Sequence, residues 1–395
     1  FLSNTTGNVV MGNFIGTNAA AVDLGNGFDG ISISGGATDN TIGGVAPGEG
    51  NTIGFNGTNG VTLSDAGTTG NSVLGNFIGT DAAGNPSGNG GDGVRFDFGA
   101  SNNMIGGAAL GEGNTIGFNG LAGVSLFSSG TTGNVIAGNF IGTNAAGDNL
   151  GNGSEGVVIT ASSTGNTIGG AAQGEGNTIG FNDAEGVKLV SGASGNSVLG
   201  NFIGTNANGD DLGNGSQGVA LLAGATENTI GGAAPGRGNT IGFNQERGVN
   251  LDGAGTTGNS VLGNFIGTNA DGDELGNSFD GIAISGGATD NAIGGATSGE
   301  GNSIGFNGTN GIFINGAGTT NNRVLGNFIG TNAAGNASGN GLDGVRISGS
   351  ATNNVIGGAS PGEGNTIGFN SGSGVSLFSS DTTGNVLSGN FIGTN

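Results

Sequence analysis

The sequence predicts an all-β right-handed parallel β-helix solenoid of about twelve coils, with three short strands per coil. Three observations predict it. The phrase GNFIGT opens at Gly12, Gly75, Gly138, Gly200, Gly263, Gly326 and Gly389, so its copies are 63, 63, 62, 63, 63 and 63 residues apart. A related phrase, GN-x-IG-F-N with Thr or Ser at x, opens at Gly50, Gly113, Gly176, Gly238, Gly301 and Gly364, which places two variants of one turn in each period. A third mark is a Gly followed by Val or Ile, one variable residue, and an aliphatic residue or Phe. It recurs from Gly30 to Gly374 in steps that alternate between 30 and 33 residues, with a single 32 after Gly186. A period kept over the whole chain is the mark of stacked units rather than of separate globules.

Each coil supplies three extended runs. From Gly30 these are Ile31 to Ile33, Asn40 to Ile42 and Asn51 to Phe55. All three are β-branched or aromatic, alternate in polarity and are closed by Gly, Asn or Asp. The next coil repeats the order with Val61 to Leu63, Ser72 to Leu74 and Phe77 to Ile78, and its extra residues fall in the loop DAAGNPSGNGGD. The expected inner column is Ile42, Ile53, Phe55, Val61, Leu63 and their repeats. Helices are excluded because no run of ten good helix formers occurs among so many Gly and Asn residues.

The corners are assigned to Asn, which tolerates sharp backbone and whose amide can bond to the Asn one coil on. The candidates are Asn40, Asn51, Asn71, Asn76 and their period mates, and the expected ladder runs through Asn51, Asn76, Asn114, Asn139, Asn177, Asn201, Asn239 and Asn264. Residues 1–395 read as one continuous array. A larger repeat lies over it: FDGISISGGATDNTIGG from Phe28 returns almost unchanged from Phe279, 251 residues later. Both ends fall inside the pattern, which suggests a segment of a longer chain.

Composition narrows the function. Six basic residues against 28 acidic ones give a net charge of −22, which excludes nucleic acid as a partner because nothing neutralises phosphates. No apolar run is long enough to span a membrane. Histidine, cysteine, tyrosine and tryptophan are absent. Two acidic sets follow the repeat and read as solvated stripes: Asp29, Asp92, Asp280 and Asp343 ahead of the Gly-Val strands, and Glu49, Glu112, Glu175, Glu300 and Glu363 in the GEGN turn. Arg95, Lys188 and Arg346 share the outward middle position of that strand, and Arg237 replaces one of the repeated glutamates. Weak calcium candidates are Asp210, Asp211, Asp273 and Glu274, hard oxygen donors in Asn- and Gly-rich loops; no other cofactor is expected.

Adjacent Phe77 and Ile78 cannot both point inward on a straight strand. Either a bulge turns both inside, or Phe77, Phe140, Phe202, Phe265 and Phe328 form an outer stripe for lateral contact. Thr17, Thr80 and Thr143 raise ice binding as a minor possibility.

The motifs NTIGG, GEGNTIGFN and GNFIGTNAAG resemble those of large bacterial repeat proteins of the right-handed parallel β-helix, pectin-lyase-like superfamily. The resemblance implies a secreted or cell-surface protein. The resulting expectation is a non-enzymatic extracellular rod, part of a filament, fibre or adhesin stalk, that self-associates end to end or side by side and makes cell-surface or glycan contacts. The second reading is a carbohydrate-binding or polysaccharide-cleaving β-helix.

Overall fold

Strand formation follows the short β-branched runs, each ended by a corner that Gly and Asn can turn. The computed structural model describes residues 4–393, which hold strands and turns and no helix. Two compact units divide the chain, Phe1–Lys188 and Leu189–Asn395.

In the first unit every coil lays one strand on each of three parallel sheets. Sheet A contains Val9–Val10, Thr41–Gly43, Ser72–Leu74, Met104–Gly106, Val135–Ala137 and Thr167–Gly169. Sheet B contains Phe14–Ile15, Thr52–Ile53, Phe77–Ile78, Thr115–Ile116, Phe140–Ile141 and Thr178–Ile179, and sheet C runs from Ile31–Ile33 through Val61–Ser64, Val94–Asp97 and Val124–Leu126 to Val157–Ile159. Register puts each residue on its counterpart: Ile42 pairs with Val73, Ile53 with Ile78, Val61 with Val94 and Leu63 with Phe96. All eight side chains are fully buried. The second unit repeats this plan, with sheet A from Ser197–Leu199 to Val386–Leu387, sheet B from Phe202–Ile203 to Phe391–Ile392 and sheet C from Val219–Leu222 to Val375–Leu377.

Two expectations about strand ends are corrected. The strands begin at Thr41 and Thr52, one residue after the Asn, because Asn40 and Asn51 are the corners themselves. Phe55 is not in the core. Its strand stops at Ile53, its N–H turns to the carbonyl of Ser87 at 2.8 Å, and its φ of 60° carries the ring outward. The same left-handed conformation recurs at Phe118, Phe181, Phe243, Phe306 and Phe369.

Three Asn columns hold the corners. At one, the backbone N–H and Nδ2 of Asn114 both donate to Asn139 Oδ1, at 3.0 and 2.9 Å, while Asn114 Oδ1 accepts the same pair from Asn76 at 2.9 and 2.9 Å. Asn114 Nδ2 also donates to the carbonyl of Val73 at 2.8 Å. This column links Asn51, Asn76, Asn114, Asn139 and Asn177 in the first unit and Asn201, Asn239, Asn264, Asn302 and Asn327 in the second. Asn40, Asn71, Asn103 and Asn134 form another. A third column, through Asn56, Asn89, Asn119 and Asn152, was not singled out from the sequence. Its members alternate between the end of GNTIGFN and a loop asparagine, so they share no common phrase.

Close approach fixes some glycines. At Gly142, with φ +76°, a Cβ would lie 2.1 Å from the carbonyl oxygen of Gly180 and 2.6 Å from Asn182 Oδ1.

Asn114→Ala strands two buried donors of Asn76 and the carbonyl of Val73, so a loss of about 3 kcal/mol is expected. The control Asn208→Ala, on an exposed loop, should change stability by less than about 0.5 kcal/mol. Urea midpoints of the two variants, with amide exchange at Asn76 accelerated only in the first, check the ladder.

Candidate functional site

Outward residues of sheet B alternate by coil. Ile78 points into the core while Phe77 faces out half-buried, and the ladder through them is regular: the N–H of Phe77 bonds the Asn51 carbonyl at 2.9 Å and that of Gly79 bonds Ile53 at 2.8 Å. The bulge is therefore excluded, and the outward reading holds at Phe77, Phe140, Phe202, Phe265 and Phe328. All five rings are half-buried.

In the second unit they help floor a groove of about 720 Å³. Thr240, Phe265, Ser303, Phe328 and Thr366 follow one another in register along its floor. One wall is built from the small-residue turns 232–236 and 295–299, with Gly362 beyond. Turns of alternate coils touch directly: a Cβ on Gly299 would meet the Ala233 carbonyl oxygen at 2.4 Å, and one on Gly362 would meet that of Ala296 at 2.2 Å. Ala333 lies on the lining as well, and no charged side chain does.

The glutamates of these turns close them instead of forming a solvated stripe. Oε2 of Glu300 accepts the N–H of Thr297 at 2.9 Å, and Glu49, Glu112, Glu175 and Glu363 each accept the N–H three residues back at 2.8–3.0 Å. Arg237 replaces that carboxylate with an aliphatic stem over Gly232, where a Cβ would approach Arg237 Cδ to 3.1 Å.

Sheet C carries the charge. The second acidic set is also not a solvated stripe, because its carboxylates bond the next coil. Asp29 accepts from the Thr58 hydroxyl at 2.6 Å and the Asn59 N–H at 3.0 Å, and Asp280 accepts from Thr309 at 2.6 Å and Asn310 Nδ2 at 2.8 Å. Asp92, 4% exposed, accepts from the Ala122 N–H and the Ser125 hydroxyl. Arg95 pairs with Asp97 at 2.8 Å and Asp92 at 3.3 Å and lies 4.8 Å from the centroid of the Phe127 ring. Burial alone would lower its pKa, but both carboxylates outweigh that and raise it.

Lys188 stands between Glu155, at 2.9 Å, and Glu185, at 3.3 Å. Burial disfavours its ammonium, and the bond and charge of Glu155, with Glu185 behind it, more than compensate, so its pKa rises. Glu155 moves the other way. Burial would raise it, but the Ser154 hydroxyl at 2.6 Å and the Lys188 ammonium lower it. Lys188 is thus a cation at neutral pH, held between two carboxylates as their shared partner.

The calcium candidates lie on exposed loops. Asp210 accepts from Asn206 Nδ2 at 2.8 Å, Asp211 from the Gly213 N–H at 3.0 Å and Asp273 from Asn269 Nδ2 at 2.8 Å, while Glu274 is exposed beside them. Among the described residues no three Asp or Glu side chains gather at one point. Asp81 in the equivalent first-unit loop shows the same closure. Burial would raise its pKa, and bonds from the Asn85 side chain and the Asn85 and Ala83 amides lower it. Ice binding is excluded by Thr80 and Thr143, which are fully buried with their hydroxyls bonded to loop carbonyls at 3.1 and 3.0 Å.

The Lys188 cluster sets a pH dependence. Glu155, with its folded pKa depressed, stabilises above its ordinary value of 4.5, and that contribution is lost as pH falls through the folded value. Lys188, with its folded pKa raised, stabilises fully below 10.5, and its contribution is lost as pH rises through the folded value. Lys188→Met should lower the urea midpoint across the neutral plateau and flatten the alkaline limb, which midpoints measured over both limits check.

No family model matches the sequence, and no curated protein matches it. Several solved structures do. A mutant of the periplasmic alginate epimerase AlgG superposes with a TM-score of 0.50 at 13% identity, over 88% of this chain and 76% of that one. The A-module of the Azotobacter vinelandii mannuronan C-5 epimerase AlgE4 gives 0.35 at 13% identity over 98% and 87%, and the Dettilon tailspike protein gives 0.41 at 17% over 87% and 63%. The expectation that the chain is not an enzyme is corrected by the AlgG neighbour, a structure of the same fold that is named as an epimerase. No described helix is long and apolar enough to cross a membrane. The fold is that of the pectin-lyase-like right-handed parallel β-helix proteins.

Proposed function

We propose that this chain is a carbohydrate-engaging β-helix that takes an extended, largely uncharged sugar chain along the groove of its second unit, outside the cytoplasm. One observation carries the reading: Phe265 and Phe328 stand two coils apart on the groove floor, with the hydroxyls of Thr240, Ser303 and Thr366 between and beyond them. Two strand spacings are roughly 9.6 Å, so the rings recur at an interval suited to alternate residues of an extended polymer. Aromatic faces pack against sugar C–H surfaces, while a few placed hydroxyls fix orientation, which is the usual division of labour in a ligand site. The neutral lining, in a chain of net charge −22, disfavours a polyanion there.

The half-burial of Phe265 and Phe328 on the groove lining also favours this reading over the structural filament, because a lateral packing stripe needs rings that protrude.

The test is affinity electrophoresis and calorimetry against a panel of neutral β-linked glucans and mannans. Phe265→Ala and Phe328→Ala should each weaken binding about tenfold, equivalent to about 1.4 kcal/mol, with circular dichroism unchanged. Equal affinity in both variants and the parent would sink the groove as the binding site.

A further inference from the structure

The 251-residue duplication lets one copy of a site interpret the other. Arg95 and Arg346 are counterparts, as are Asp92 and Asp343, Phe127 and Phe378, Ser128 and Ser379, and Asp97 and Ser348. In the first copy Asp97 Oδ2 takes both Arg95 Nε, at 3.1 Å, and Nη2, at 2.8 Å, and the Ser128 hydroxyl donates to Asp97 Oδ1 at 2.5 Å. One carboxylate is thus held by a guanidinium edge and a hydroxyl.

The second copy keeps the receptor and replaces the carboxylate. Arg346 lies 5.2 Å from the centroid of the Phe378 ring, much as Arg95 lies beside Phe127. Ser379 keeps the unusual backbone of Ser128, with φ of 88° against 81°. Ser348 stands where Asp97 does, and its hydroxyl donates instead to Asn315 Oδ1 at 3.0 Å. Asp343 gives its oxygens to the Ser373 N–H at 2.7 Å and the Ser376 hydroxyl at 2.6 Å and forms no ion pair with Arg346. The Nε–H of Arg346 is buried and bonds no acceptor among the described residues. A buried guanidinium N–H without an acceptor is costly, and bidentate carboxylate geometry is what satisfies it.

We propose that Arg346, with Ser379, is a receptor for a carboxylate carried by a ligand, which takes on Arg346 the place that Asp97 takes on Arg95. The site is separate from the Phe groove, on sheet C rather than sheet B, so it stands or falls independently of the sugar-binding reading.

The experiment uses the full chain, 15N-labelled, titrated with sodium acetate and sodium glucuronate, with sodium chloride at equal ionic strength and glucose as controls. The Nε–Hε resonance of Arg346, assigned by its loss in Arg346→Met, should shift saturably with both carboxylates and with neither control. Ser348→Asp should restore the internal partner, move that resonance to the bound position and weaken acetate binding about tenfold or more by direct competition. Phe265→Ala should leave the titration unchanged. A resonance that responds equally to chloride, or acetate affinity unaltered in Ser348→Asp, would overturn the proposal.

Discussion

The whole structure depends on turning a sharp corner inside a dry core without losing a backbone hydrogen bond. A coil of about thirty residues that closes on three short strands has three such corners, and each presents buried N–H and carbonyl groups that water cannot reach. An Asn solves this because its Oδ1 accepts twice from the Asn one coil earlier and its Nδ2 donates both to the next Oδ1 and to a carbonyl, as at Asn114. Each corner is then correct only if the same residue type stands directly above and below it. Registration of the inner column follows: once Asn lies on Asn, Ile53 must lie on Ile78 and Val61 on Val94.

This strictness at the corners leaves the outward positions comparatively free, and there the repeats diverge. Sheet B alternates Phe with Thr or Ser on its outer face, while the outer middle position of sheet C passes through Thr62, Arg95, Ser125, Val158 and Lys188 in the first unit. In the first unit the charged groups on that half-buried face are paired, with Asp92 and Asp97 around Arg95 and Glu155 and Glu185 around Lys188. The acidic residues that follow the repeat are structural acceptors rather than a hydrated fringe, the aspartates for the next coil and the glutamates for their own turn.

The period made the fold, the three sheets and most of the core legible in the sequence. What it could not show was the exact point at which each strand gives way to a corner. Phe55 reads as core because it follows an alternating run, yet its left-handed φ is imposed by the corner and turns it outward. Phe77 and Ile78 posed the reverse problem, solved by a ladder that stays regular through Gly79. The groove was not legible at all. Its wall arises because turns two coils apart meet, Gly299 against Ala233 and Gly362 against Ala296, over the intervening coil. No spacing in the sequence distinguishes turns that touch from turns that merely repeat.

The charge distribution also limits what each face can bind. A net charge of −22 sets a repulsive background for anions, but at physiological ionic strength its reach is about 8 Å, so local groups decide at any one site. A neutral polymer in the Phe265 and Phe328 groove neither gains nor loses much from that background. A carboxylate at Arg346 must overcome it, and does so only where the guanidinium presents a buried Nε–H and has no internal partner. Arg95, already closed by Asp97, fails the second condition, so a single exchange of Asp for Ser between two copies of one block separates a structural ion pair from a receptor.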